Sequence, residues 1–315
     1  MILAEDLLER IRNLGTLNNL EIQGTDDPVL LEYISEELDS KIVPSIIRTR
    51  EEFLTVTSRI PLVAGVTKYR IPPRAVCQRL RDFTYVDSAG NRTPFGSDPI
   101  RREELHHYNI GTASEPLGFF LEGPYIQMVP ISGSYTGFLE LAFYMRPSKL
   151  VMADDIRRII MVDLVTGICS LDSDLPTNWT TANQFDIQTP LPGGELKIYD
   201  AVASQVGGAG LESQITFTTK IDGSVYGSNP VEIGDYLCLA GQCAQIMIPE
   251  DLLPQLIESV VNRIMYSGGD YKALQAGMVR VDQQLRDSLS ITKKRLESKP
   301  MRISLHGTTL FPRRW

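Results

Sequence analysis

The last third of the chain limits the possible fold more than any other feature. From Pro249 to Ser298 it reads as two helices joined at a Gly-Gly turn, and a Lys/Arg-bearing segment then runs to the terminal Trp315. In the first helix Leu252, Leu253, Leu256, Ile257, Val260, Val261, Ile264 and Met265 recur at helical spacing and form a broad apolar stripe. Ser267-Gly268-Gly269-Asp270 ends it, with Asp270 placed to cap the next helix. Tyr271, Leu274, Met278, Val281 and Leu285 then follow three-four spacing, a narrow seam. A stripe as wide as the first needs more than one narrow neighbour. Helices also open the chain, so the predicted fold is α+β, a helical bundle built from the N- and C-terminal helices with β-rich lobes inserted between them.

The N-terminal signals support that partnership. Asp6-Leu7-Leu8-Glu9-Arg10 begins an amphipathic helix. Thr25-Asp26-Asp27-Pro28 is a strong helix start, because Thr or Asp can cap free amides, acids suit the positive dipole end, and Pro sits where its missing N–H costs nothing. Leu30, Leu31, Ile34, Leu38 and Ile42 recur at helical spacing, Pro44 kinks or restarts the helix, and Ile46, Ile47, Phe53 and Leu54 continue the apolar face. The spacing predicts helices over 26–42 and 44–56.

From Ile60 the pattern changes to strands. Tyr69–Ala75 reads as a strand stopped by Pro72-Pro73, Phe83–Val86 as a short strand, and Pro99–Tyr108 as a short helix. Phe119–Leu121 and Tyr125–Val129 flank Glu122-Gly123-Pro124 as a hairpin. Leu139, Leu141, Phe143 and Met145 alternate with Glu140, Ala142 and Tyr144, the period-two pattern of a half-buried strand. Arg157–Val165 reads as a buried strand or a short helix. The stretch 167–234 is the least regular, with strand-like pieces at Leu196–Tyr199 and Ile215–Thr219, and Tyr236–Leu239 follows as another strand. Gly207–Gly210 lacks the Lys-Ser/Thr of a phosphate-binding loop and reads as a plain loop. The organisation expected is N-terminal helices over 1–60, a β-rich domain over 61–166, an inserted β/loop lobe over 167–248, a helical hairpin over 249–299 and a tail over 300–315.

Charge is distributed unevenly within a formal total of −8. Met1 to Pro61 carries twelve Asp/Glu against six Lys/Arg, whereas Arg280 to Trp315 carries nine Lys/Arg against three Asp/Glu. In a ring of many copies this asymmetry sums into opposite faces or linings; on a single chain it is a solvated helix and a soluble tail. Cys77, Cys169, Cys238 and Cys243 are scattered, and His106, His107 and His306 are the only histidines, so neither a disulfide framework nor a zinc pattern follows. His106-His107 beside Glu103 and Glu104 has the wrong spacing for the helical two-His zinc motif, and Ser170 and Ser173 near Asp172 and Asp174 have no His close in sequence. No catalytic residue, metal ligand or cofactor is assigned. No stretch approaches the length of a membrane span and no apolar signal core opens the chain, so synthesis in a reducing cytoplasm is expected.

Several of these stretches resemble the head–tail connector (adaptor or neck) proteins of tailed bacteriophages. Thr25–Ile34 looks like the opening helix of that family. Pro61-Leu62-Val63-Ala64-Gly65, Tyr69–Ala75 and Leu80-Arg81-Asp82 are similar to its first β segment. Gly234–Leu239, Ile248-Pro249-Glu250 and Leu252–Leu256 look like its strand-to-helix passage. The resemblance implies a structural virion protein, made in the host cytoplasm and placed at the head–tail interface. It implies a homo-oligomeric ring, commonly of twelve copies, docked beneath the portal protein, with a channel for double-stranded DNA and a lower face for the next tail or neck protein. A C-terminal segment often reaches the portal in this family. Here Arg302, Ile303 and Leu305 can pair as a strand or lie in a groove, Leu310, Phe311 and Trp315 can anchor, and Arg313 and Arg314 can find carboxylates; an ordinary frayed terminus is the alternative. Lys293, Lys294, Arg295 and Lys299 either face DNA phosphates or form a solvated helix end, where cations also suit the dipole. Two rival readings are an enzyme and another virion part, such as a tail-tube or fibre-attachment protein.

Overall fold

The computed structural model of the chain describes residues 3–17, 26–49, 53–95, 99–108, 115–131, 135–190, 195–207, 213–218, 220–224, 229–267 and 271–292. The fold is mixed α and β, with few helices and β-rich lobes between them. Helix α1 (Ala4–Leu17) comes first, and α2 (Asp27–Glu37) follows. Asp26 holds the N-cap position and Pro28 lies in the first turn, as the sequence suggests, but the Asp26 side chain makes no cap hydrogen bond. Asp27 instead accepts from Arg12 of α1, a charge-assisted bond that ties the two helices.

Helix α2 passes through a π-helical turn, Leu38–Ile42, into α3 (Val43–Thr49). The π turn is how the chain absorbs Pro44. Proline has no N–H for the carbonyl four residues back and its ring crowds that carbonyl; a wider turn ahead of it relieves both conflicts. The described helix runs to Thr49, and the helix does not reach the residue 56 that the apolar spacing suggests, because β-branched Thr55-Val56-Thr57 opens strand β1 (Thr55–Pro61). Phe53 and Leu54 pack on the helical core all the same, from the turn before that strand.

Strands β2 (Lys68–Arg70), β3 (Ala75–Val86) and β4 (Arg92–Pro94) follow, then a 3-10 turn (Arg102–Glu104) leading into α4 (Leu105–Tyr108), then β5 (Gly118–Glu122), β6 (Tyr125–Val129) and β7 (Phe138–Met145). They form two sheets, β1-β7-β3-β4 and β2-β6-β5, over one core that includes Phe83, Phe119, Ile126, Met128, Leu141 and Phe143. Pro72-Pro73 does stop β2, and the hairpin of β5 and β6 forms as predicted. Strand β3 is far longer than the predicted Phe83–Val86. Its first half breaks register with β7 between Ala75 and Leu80, where Cys77 and Gln78 take φ of 51° and 56°, and this bulge hides the strand from a period-two reading.

After β8 (Lys149–Leu150) come β9 (Arg157–Asp163), β10 (Ile168–Leu171), β11 (Gln184–Gln188), β12 (Leu196–Val206), β13 (Gln214–Phe217), β14 (Tyr236–Leu239) and β15 (Gln242–Cys243). Six of them close a barrel in the order β10-β13-β12-β11-β14-β9, filled by residues such as Ile159, Cys169, Phe185, Ile187, Ile198 and Phe217. Closure removes the sheet edges. The least regular stretch of the sequence is therefore a closed β-structure, and it takes its first strand from residues ahead of 167. Strand β10 is buried with no alternation, whereas β11 does alternate, as Gln-Phe-Asp-Ile-Gln, but its polar Asp186 and Gln188 are buried along with Phe185 and Ile187. Strand β9 corrects another expectation. It is a strand, but of its apolar run Ile159 alone is buried, while Ile160 and Met161 are about half exposed.

Helices α5 (Leu253–Ser267) and α6 (Tyr271–Thr292) end the described chain. Leu7, Ile11, Leu30, Ile34, Leu256, Val260 and Leu285 belong to one core, so helices from both ends of the chain are buried together. Along α6, over the described side chains 277–289, the buried residues are Val281, Leu285 and Leu289, an i, i+4, i+8 row. Met278, expected in that seam, is exposed, because the row slants one step away from it.

Candidate assembly surfaces

The helices are joined through a buried acid. Glu37, the last residue of α2, keeps only 3 % of its side chain exposed. Lys41 of the π turn lies 2.7 Å from it, Arg263 of α5 lies 3.3 Å away, and the Ser259 hydroxyl of α5 donates to it. Lys41 also donates to Ser259 Oγ at 3.1 Å. Arg263 reaches further, pairing with Glu36 and lying 5.4 Å from the Tyr33 ring centroid. A buried carboxylate is tolerable only when paired and hydrogen-bonded. Lys41 stands four residues after Glu37, the spacing that puts two side chains on one helix face. Separately, α1, α5 and α6 frame an open groove of about 960 Å³ whose walls include Arg10, Leu14, Ile257, Glu258, Arg280 and Asp287. Arg280 of α6 and Glu258 of α5 pair across one side at 3.1 Å.

A second buried pair fastens the barrel to the two-sheet lobe. Arg74, in the turn between β2 and β3, donates to Asp186 of β11 at 2.7 Å and to Ser148 Oγ at 2.6 Å. Asp186 is fully buried and also accepts the N–H groups of Asp200 at 2.9 Å and Gly241 at 3.0 Å. Burial pushes its carboxyl up from the usual range, and the guanidinium and the two N–H donors oppose that push. Tyr199 of β12 adds a hydroxyl donated to the Thr57 carbonyl of β1 at 3.1 Å, and its ring lies in the two-sheet core.

Two thiols lie at the Arg74 joint: Cys243 Sγ donates to the Ser148 carbonyl at 3.2 Å, and Cys238 of β14 stands opposite Asp186. Burial pushes the Cys169 thiol up to about 12, with Asp235 adding to the effect, and holds Cys238 and Cys243 well above the usual thiol range. His106 and His107 stack on α4 with ring centroids 3.8 Å apart, and both are exposed. Ser173 donates to Asp172 beside it. Among the described residues no three His, Cys, Asp or Glu are grouped to hold a metal ion, and no helix is long and apolar enough to cross a membrane.

The residues singled out in the sequence for docking and DNA contact lie outside the described residues. These are Lys293, Lys294, Arg295 and Lys299, and Arg302, Ile303, Leu305, Leu310, Phe311, Arg313, Arg314 and Trp315. The sequence alone marks neither Glu37 nor Arg74, because their partners lie far along the chain.

A family model described as SU10 adaptor protein matches residues 3–184, more than half of the chain. The match takes in α1 to α3, both sheets and the first two strands of the barrel, and stops where β11 begins. The strand-to-helix passage over 234–256, part of the resemblance noted in the sequence, lies beyond it. No curated protein and no solved structure matches the chain.

Proposed function

Since the chain belongs to the SU10 adaptor protein family, a family of phage head–tail adaptors, we propose that it forms a ring beneath the portal, joins capsid to tail and surrounds the path of the DNA. Membership makes it a structural component of the virion. In this reading the terminal helices form a bundle that is the wedge of a homo-oligomeric ring, of twelve copies in the simplest case. The tail 300–315 docks on the portal through Ile303, Leu305, Leu310, Phe311 and Trp315, with Arg302, Arg313 and Arg314 pairing to carboxylates. Lys293, Lys294, Arg295 and Lys299 line the channel and touch phosphates without reading sequence. The next tail or neck protein meets the opposite face.

The observation that carries this reading is the family match across the helices and the two-sheet lobe. The joints at Glu37 and Arg74 support it, because one locks helix to helix and the other locks the two-sheet lobe to the barrel, as a load-transmitting element requires. The test is electron microscopy of the purified full chain mixed with portal. A single coaxial ring on the portal is expected, and deletion of Met301–Trp315 is expected to abolish it while the chain stays folded. Unimpaired docking after the deletion overturns the assignment of the tail, and no association with portal in the intact chain overturns the function.

A further inference from the structure

The β9–β10 hairpin carries an apolar surface that the barrel does not use. Strand β9 contains a bulge: Ser170 faces Met161 while Leu171 faces Ile159, so Ile160 is the extra residue. The bulge turns two successive apolar side chains outward, and Ile160 and Met161 are 52 % and 51 % exposed. At the tip Leu164 is 37 % and Val165 94 % exposed. Ile233 is 68 % exposed and lies alongside, because the Gly234 N–H donates to the Ile159 carbonyl.

This tip is held rigidly. Asp163 accepts the Val165 N–H at 2.9 Å, the Thr166 N–H at 3.4 Å and the Thr166 hydroxyl at 2.6 Å. Gly167 has φ of +73° and its carbonyl accepts the Phe217 N–H at 2.9 Å; a Cβ there would meet the Phe217 carbonyl oxygen at 2.9 Å. A preformed apolar knob gives up little entropy on docking.

The two-sheet lobe has a second exposed apolar corner. Val63, Val66, Leu117 and Ile131 are 57 %, 41 %, 59 % and 43 % exposed. Three adjoining segments bring them together, since the Met128 N–H donates to the Thr67 carbonyl and the Leu117 N–H to the Val129 carbonyl. Charges of both signs border each surface, exposed Arg158 and Glu232 beside Ile160 and Ile233, and exposed Glu115 and Lys68 beside Leu117 and Val66, so that a base of one copy can meet an acid of the other. Unlike surfaces on one chain are what a heterologous, head-to-tail contact needs, and such contacts close into rings.

We propose that the β9–β10 hairpin of one copy seats on the Val63–Ile131 corner of a second copy of this chain, with Arg158 facing Glu115 across the contact. The inference rests on the ring reading above and assigns it a subunit interface. The test places a benzophenone amino acid at Val165 of the full chain, mixes it with isotopically labelled wild-type chain, and assembles both on the portal. Irradiation is expected to join residue 165 to residues 62–67, 115–117 or 129–131 of the other isotopic form. Rings that form while residue 165 joins elsewhere, to the portal or to nothing overturn this inference and leave the adaptor function standing. Failure of the wild-type chain to form any ring overturns both. As an independent arm, Val165→Asp is expected to weaken ring assembly at least tenfold with an unchanged melting temperature, while Val165→Leu assembles normally. Normal assembly of Val165→Asp also overturns it.

Discussion

Gly277 of α6 lies so close to Asn262 of α5 that a Cβ on the glycine would fall 2.3 Å from the Asn262 Oδ1 atom. The absent side chain makes room for the Asn262 amide between the two helices. Asn262 itself is buried, and its Nδ2 atom has no hydrogen-bond partner. Gly277→Ala is therefore expected to force the buried Asn262 side chain to turn aside and to cost about 1 kcal/mol by overpacking, despite the better helix propensity of alanine. Denaturant melts check this, and the pair Asn262→Ala with Gly277→Ala is expected to recover most of the loss. A single Gly277→Ala variant at least as stable as the wild type contradicts the close approach.

Arg74→Ala leaves the Asp186 carboxylate buried without its cation. The expected loss is about 3–5 kcal/mol, as for other broken buried pairs. The double change Arg74→Met with Asp186→Leu is expected to be much milder, because no buried charge is stranded. Urea unfolding of the three proteins measures the difference; a mild Arg74→Ala phenotype would show that water reaches Asp186.

Tyr199 links alkaline pH to stability. Burial pushes its phenol up to about 12, with the nearby Asp200 adding to the rise and a hydrogen bond with Ser58 opposing it. The unfolded chain loses this proton at about pH 10, the folded chain only at higher pH. The contribution is thus fully present below about pH 10 and is lost as the pH climbs through the folded value. Stability plotted against pH is expected to fall above about pH 10. Tyr199→Phe is expected to flatten that fall and to be less stable at neutral pH through loss of the bond to Thr57. An unchanged slope in Tyr199→Phe rules out this linkage.

Gly137 is the tightest backbone contact in the two-sheet lobe. Its φ is +102°, and a Cβ would lie 2.1 Å from the Val86 carbonyl oxygen. Backbone cannot swing aside as a side chain can, so Gly137→Ala is expected to cost about 3 kcal/mol or more. Circular dichroism melts of the variant check it, and near-wild-type stability would mean that the β3–β7 register differs from that described.

The sequence was most legible where a single face is buried. Leu139 to Met145 alternates because β7 is partly covered, and Leu252 to Val261 repeats at helical spacing because α5 packs on two N-terminal helices. It was least legible where burial is two-sided or register is broken. Barrel strand β10 has no polar face to mark it, the polar residues Asp186 and Gln188 of β11 are buried rather than exposed, and the bulge at Cys77 and Gln78 interrupts β3 in its first half. The Ile-Ile-Met run of β9 misled in the opposite sense: apolar residues suggested burial, but a bulge turns two of them outward. Met278 shows that spacing alone does not choose between two neighbouring helical rows. The connector resemblance was legible in the helix start at Thr25 and the strands around Pro72, within the span that the family match later covered. The joints at Glu37 and Arg74 depend on partners 222 and 112 residues away, which local pattern does not reveal.

The most direct measurement of the central claim is a cryo-electron microscopy reconstruction of the neck in intact phage particles. The account predicts this chain as one closed ring coaxial with the portal, its terminal helices side by side around the DNA and residues 301–315 in contact with portal subunits. A neck built without this chain, or copies located only in tail fibres or outside the particle, would contradict it.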